Sequence, residues 1–449
     1  MSAVALPRSI VAPPIIAGDD RIKSTQVKLN PANASGATEF SPTNNSRIVF
    51  NIPAYAKSFL NPKRSFLSFT IKTSANTAKV VDGAPWVDRM TLKGGSVMLE
   101  DIQDYPVLER SLSLFEGVDH KQSRGWMEAD YADSIRQMSN ATAVSMLTSV
   151  RAEQFAGRHY TKPLLSGVIG KEQTVYVPIS MLNSGGSHAL QLELYLAAND
   201  QVCIGTTAAA SPTYTVSDVA LHLEVVELPE RALGAFNQAV MSGGQLALPY
   251  KSYRSYRQYV PADQTHVNFN VVDSSKNAEM LLLAMRKQAS LNGYTNVADW
   301  TSTEAVLPDA LSLVGGTGTS SVVSKYQIRY GDKQFPQQPV ENTSDSLPTI
   351  LQGLASMDKL GEAPRLCSMD VDFKPVFENT GFVIAQGFKT SEDEIMNGLQ
   401  TNVSGAPIEL LLDFSAQSQN VALFAFVKAS HTLNITQNGS VSLTSGRVA

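Results

Sequence analysis

The stretch Arg89-Met-Thr-Leu-Lys-Gly-Gly, followed by Asp104-Tyr-Pro-Val-Leu-Glu-Arg-Ser-Leu, has a counterpart far downstream. There Lys325-Tyr-Gln-Ile-Arg-Tyr-Gly-Asp precedes Ser346-Leu-Pro-Thr-Ile-Leu-Gln-Gly-Leu. Each reads as a strand entering a glycine turn, then a short helix with proline in its first turn. Each half closes on two strong strands: Ala189-Leu-Gln-Leu-Glu-Leu-Tyr-Leu and Asp218-Val-Ala-Leu-His-Leu-Glu-Val-Val in the first, Pro407-Ile-Glu-Leu-Leu-Leu-Asp-Phe and Asn420-Val-Ala-Leu-Phe-Ala-Phe-Val in the second. The same long β-unit is therefore used twice, matched by element order more than by identity.

Working outward, 449 residues exceed one ordinary core and suit two to three domains. Prolines at 7, 13, 14, 31 and 42 make residues 1–45 an extended arm. Its charges, Arg8, Arg21, Lys23 and Lys28 against Asp19, Asp20 and Glu39, nearly cancel, so it is no polybasic genome-binding segment. Its apolar run supplies candidate contacts at Ile10, Val11, Ile15 and Ile16. Deleting residues 2–40 is accordingly expected to leave a folded protein.

Ordered strands begin at Arg47-Ile-Val-Phe-Asn-Ile-Pro. A helix capped by Asp104 follows the first glycine turn, residues 119–165 form a long excursion, and the sheet resumes at Gln173-Thr-Val-Tyr-Val-Pro-Ile. Pro229 opens a linker helix over 229–244 that ends at Gly243-Gly244. The two β-units occupy 46–228 and 245–437, and 438–449 reads as a flexible tail. The fold class expected is all-β: two tandem eight-stranded antiparallel jelly-rolls with short helices and an extended N-terminal arm.

Charged residues make up only 17% of the chain against 43% hydrophobic, which suits a surface hidden against neighbours. The net charge of −5 gives no global field for nucleic acid. No run is long enough for a membrane span of about 18 residues, and the opening residues do not read as a secretory signal. Cys203 and Cys367 form neither a disulfide framework nor a metal site, and the sequons at Asn140, Asn402 and Asn434 read as chance.

No catalytic, cofactor-binding or metal site emerges. The six histidines show no His-x-His pair, which a metal-binding double-barrel enzyme needs, and His222 reads as a sheet histidine. Asp370-Val-Asp372 and Glu392-Asp393-Glu394 read as solvated charge and a helix start. Gly315-Gly316 lacks the following helix and lysine of a phosphate loop. The unusual pattern is Tyr250-Lys-Ser-Tyr-Arg-Ser-Tyr-Arg-Gln-Tyr259. Tyr250, Tyr253, Tyr256 and Tyr259, with Arg254 and Arg257, read as an inter-subunit or inter-domain contact, because Tyr and Arg are enriched at interfaces.

In the order of these elements the chain resembles the double jelly-roll major capsid proteins of tectivirus-like phages, virophages, polinton-like viruses and large icosahedral DNA viruses. Carriers are Arg47-Ile-Val-Phe-Asn-Ile-Pro, the Arg89 strand-turn, Asp104-Tyr-Pro, the Asp218 strand and Ile328-Arg-Tyr-Gly-Asp-Lys-Gln-Phe-Pro. The resemblance implies a homotrimeric, pseudo-hexagonal capsomer in the virion shell, made inside the host cell. It also implies contacts to neighbouring capsomers, penton and minor capsid proteins and an internal membrane, without sequence-specific nucleic-acid binding. Other readings are a coat protein with one shell jelly-roll plus a projecting β-domain, and a bicupin-type enzyme or glycan-binding β-protein.

Overall fold

The computed structural model describes residues 22–34, 39–55, 57–81, 83–130, 140–182, 189–205, 212–230, 233–234, 236–238, 245–287, 321–341, 343–357, 359–361, 364–367, 382–389, 398–417, 420–436 and 441–445. The first half runs β1 (Lys23–Leu29), β2 (Glu39–Phe40), β3 (Arg47–Ile52), β4 (Ser58–Thr73), β5 (Ala78–Val80), β6 (Val87–Gly94) and β7 (Val97–Ile102). Helices α1 (Tyr105–Leu114), α2 (Val118–Glu128) and α3 (Asn140–Ala156) follow. Then come β8 (Arg158–Pro163), β9 (Leu190–Leu196), α4 (Asn199–Val202), β10 (Cys203–Gly205) and β11 (Tyr214–Glu227). The second half runs β12 (Gln245–Val260), β13 (His266–Val271), β14 (Ala278–Lys287), β15 (Ser321–Tyr330), β16 (Lys333–Val340) and α5 (Thr343–Ser356). It closes with β17 (Val383–Gly387), α6 (Thr401–Ser404), β18 (Ile408–Gln417), β19 (Val421–Thr436) and β20 (Val441–Ser445).

The duplication holds at the level of topology. One sheet of the first half has the order β1-β11-β4-β8 and the other β3-β9-β6-β7. The second half gives β12-β19-β14-β17 and β13-β18-β15-β16. Counting the eight framework strands of each half in chain order, both read first-eighth-third-sixth and second-seventh-fourth-fifth. All these pairings are antiparallel, and this order is that of a jelly-roll. The two glycine turns that open the comparison join the fourth and fifth strands, and α1 and α5 both precede the sixth. Alternating apolar residues explain the sandwich. Ile48, Phe50 and Ile52 of β3 and Phe69 and Ile71 of β4 are fully buried; β19 departs from alternation, with Leu423 to Val427 buried on both faces, and the buried residues of both halves join in one cluster.

Several elements differ from the sequence reading. The arm does not extend to residue 45: β1 is the first framework strand, paired from Lys23↔Glu227 to Leu29↔Leu221, and β2 adds Phe40 opposite Val216. Its alternation is faint because β1 is an edge strand whose side chains are mostly exposed. The sixth strand is β8, inside the stretch read as an excursion. Residues 173–179 contribute only the isolated bridge Leu60↔Val177. Strand β16 is an addition to the sequence reading: Pro336 and Pro339 disfavour a central strand, but β16 pairs on one side only, where proline is tolerated. The tail is not free over Val441–Ser445, which pairs with β19. Asp104 has φ 51° and its side chain makes no capping hydrogen bond to α1, although its carbonyl accepts from the Val107 and Leu108 amides. Around the expected linker helix, residues 230, 233–234 and 236–238 are helical. Ile10, Val11, Ile15 and Ile16, the Gly315 loop, Asp370–Asp372 and Glu392–Glu394 lie outside the described residues.

These pairings change what truncation should do. Deleting residues 2–21 should leave the melting transition in place. Deleting 2–29 or 2–40 removes the seven paired residues of β1, bares the edge of β11, and should lower the melting temperature by several degrees or prevent folding. A chain lacking residues 2–29 that melts like the full-length protein would show that β1 adds nothing.

Candidate functional site at the seam of the two jelly-rolls

Strand β12 lies against the first jelly-roll, chiefly β7. The Tyr250 hydroxyl donates to the Leu99 carbonyl at 2.8 Å, and Ser255 Oγ donates to the Gln103 carbonyl at 2.6 Å. Arg257 Nη1 reaches Asp104 Oδ1 at 3.3 Å, which is where the left-handed Asp104 spends its carboxylate. Gln173 Nε2 donates to the Pro249 carbonyl at 3.1 Å. Gly167 sits so close to Lys251 that a β-carbon there would collide with the Lys251 carbonyl, so only glycine fits.

Within the tyrosine-arginine motif, Tyr250 and Arg257 reach the first jelly-roll, whereas Tyr253, Arg254 and Tyr256 meet groups of the second jelly-roll itself. Strand alternation sends Tyr250 and Tyr256 to one face and Tyr253 and Tyr259 to the other. Tyr250 and Tyr253 are each 3% exposed, so neither ring is open to a neighbouring chain, and the inter-subunit reading is corrected for them. The Lys428 ammonium lies 5.4 Å from the Tyr253 ring centre. Arg254 and the Tyr256 hydroxyl meet Asp273 Oδ1 at 3.1 and 3.0 Å. Burial alone would raise the Asp273 pKa; hydrogen bonds from Ser275 and Thr401 and the Arg254 charge outweigh it and hold the carboxyl below its ordinary range. Tyr259 remains exposed, with the Arg257 guanidinium 4.7 Å from its ring centre.

Two buried groups at the seam carried no sequence signal. Glu100 is 2% exposed, accepts from Ser166 Oγ and from the Gly167 amide at 2.7 Å, and interacts with Ser252 of β12. Burial pushes its pKa up to about 7. Arg365 Nη1 meets Asp130 Oδ2 at 3.0 Å, with both side chains almost wholly buried, and the Arg365 amide donates to the Glu116 carbonyl. The ion pair joins residues 235 apart in sequence, so no local spacing could announce it. His222 contacts Ser68 Oγ at 2.8 Å and stacks on Phe66, as a sheet histidine should. Asn434 is buried in β19 and bonds Thr444, out of reach of a glycan. Among the described residues no three His, Cys, Asp or Glu side chains converge as a metal site.

With two matching sandwiches and their seam in view, solved structures can be compared. A chain of the PBCV-1 virus capsid superposes with a TM-score of 0.60 at 12% identity, over 97% of this chain and 99% of that one. The Faustovirus major capsid protein gives 0.56 at 8% identity over 94% and 92%. A chain of the Sputnik virophage gives 0.55 at 11% identity over 100% and 94%. This is the double jelly-roll fold of viral major capsid proteins. No family model and no curated protein sequence matches the chain. Identities this low confine the likeness to the fold. They also explain why strand order, rather than an invariant motif, carries the resemblance.

Two measurements probe the seam. Because folding raises the Glu100 pKa above the ordinary 4.5, the native state holds this proton more tightly. The group's contribution to stability is present below about pH 4.5 and is lost as pH rises through about 7, a change on the order of 3 kcal/mol. Thermal melts between pH 5 and 8 should show Glu100→Gln flattening that decline and melting higher than wild type at pH 8; an unchanged slope refutes the assignment. Arg365→Ala should cost about 3–5 kcal/mol in denaturant unfolding by removing the buried ion pair with Asp130, with Asp130→Asn milder. A loss below about 1 kcal/mol would show that the pair is solvated.

Proposed function

We propose that this chain is the major capsid protein of an icosahedral DNA virus, and that three copies form a pseudo-hexagonal capsomer. The observation that carries this reading is the pair of jelly-rolls with one topology, fixed side by side in a single chain by a buried seam. Three such chains closed around a threefold axis present six similar barrels, the outline of a hexamer made from a trimer. The identical topology of the second half favours this over one shell barrel with a projecting domain.

Exposed apolar side chains supply contacts between copies. On α5, Leu347 and Leu351 are 53% and 55% exposed and stand one helical turn apart; on α2, Trp126 is 59% exposed. Tyr259 and Arg257, at the outer end of the tyrosine motif, are available for the same use. Residues 1–21, with Ile10, Val11, Ile15 and Ile16, act as a tether to a neighbouring capsomer, a minor or penton protein, or an internal membrane. Their side-chain charges cancel, Arg8 and Arg21 against Asp19 and Asp20, which supports no genome-binding role. Assembly takes place in the host cell.

Sedimentation of the purified protein should show a trimer, and electron microscopy should show hexagonal capsomers or shells. A folded, stable monomer at micromolar concentration overturns the proposal. Leu347→Glu with Leu351→Glu should weaken the trimer at least tenfold while the melting of each chain changes little, since both side chains already face solvent.

A further inference from the structure

A cavity of about 410 Å³ opens at the seam, walled on one side by Glu172 and Gln173 of the first half and on the other by residues of β12, β14 and β19. Lys251, Lys389 and Lys428 all line it. Lys251 and Lys389 converge on Glu279 Oε2 at 2.8 and 3.5 Å, and Lys428 meets Glu172 Oε2 at 2.8 Å. Lys171 and Lys359 also act on Glu172, and both pair with Glu116, at 2.8 and 4.0 Å. Three ammonium groups and two carboxylates thus line the cavity, and with Lys171, Lys359 and Glu116 behind Glu172 the surrounding cluster, among the described residues, holds five ammonium groups and three carboxylates, an excess of two positive charges in a chain whose net charge is −5. Glu100 lies behind Tyr250, and even when ionised it leaves the balance positive. The Arg254–Asp273 pair beside His431 adds no net charge.

A second observation is independent of charge. His431 lines the same cavity, is 3% exposed, and its Nδ1 has no hydrogen-bond partner. A buried polar nitrogen without a partner costs free energy that a ligand atom can recover. Burial holds its pKa down to about 4, so at neutral pH the ring is uncharged and can donate from one nitrogen.

We propose that this cavity binds one small oxyanion of the phosphate class, held by the ammonium groups of Lys251, Lys389 and Lys428 with His431 Nδ1 as a directional donor. A cation would be repelled by the surplus charge, and an apolar ligand would strand the charged groups that line the walls. A tetrahedral oxyanion offers acceptors in several directions at once and so meets donors arriving from β12, from β19 and from the segment after β17. The site does not depend on whether the chain builds a shell.

The test is a titration of the intact protein with inorganic phosphate, with sodium chloride adjusted to constant ionic strength. The melting temperature should rise by about 1–2 °C per tenfold increase in phosphate above its dissociation constant. Calorimetry should give one phosphate per chain. Lys389→Met, in the segment following β17, should weaken binding at least fivefold. If that variant does not fold, His431→Gln is the alternative, with the same expectation. Absence of any response to phosphate, an equal response to sodium chloride alone, or unweakened binding in the folded variant overturns the proposal.

Discussion

The packing of β12 against β7 is the constraint on which the rest of the molecule depends. Strand β12 is at once the first framework strand of the second jelly-roll, paired over sixteen residues with β19, and the wall that meets the first jelly-roll. Sliding it by one residue would invert every side chain along it. Tyr250 would then leave the Leu99 carbonyl, and Arg257 would leave Asp104. The seam therefore sets the register of the second barrel and the relative placement of both.

The interface is more polar than either sandwich interior. The barrels bury rows of Leu, Ile, Val and Phe, whose packing tolerates exchanges of similar volume. At the seam lie Glu100, Arg365–Asp130 and Lys428–Glu172. Buried charges of this kind add little net stability compared with apolar packing, but each is costly to separate from its partner. The result favours one alignment of the barrels over others that would bury as much apolar surface. For the shell subunit proposed above that property matters, since an error in the angle between barrels would be repeated in every copy.

Much of the framework was legible because its signals are local. Glycine turns at Gly94-Gly95 and Gly331, the proline-started helix at Tyr105, the apolar alternation of β3, β9 and β18 and the continuous apolar run that opens β19 each lie within a dozen or so residues. What escaped notice lies at sheet edges: β1, β8 and β16 pair on one side only, carry exposed or proline-bearing sequence, and lack the alternation of a central strand. The tyrosine-arginine motif was visible as an interface, but nothing in its spacing told a neighbouring domain from a neighbouring chain.

By itself, then, the sequence determined that this is a duplicated all-β chain, because strand and turn preferences are written residue by residue. Only the tertiary structure decided which strands close each barrel, where Lys23–Leu29 and Val441–Ser445 add their edges, and which distant groups meet at the seam. Arg365 with Asp130, Glu100 with Gly167, and Lys428 with Glu172 are joined by chain topology across long separations. Coulomb attraction and desolvation act through space, and no periodicity along the chain records them.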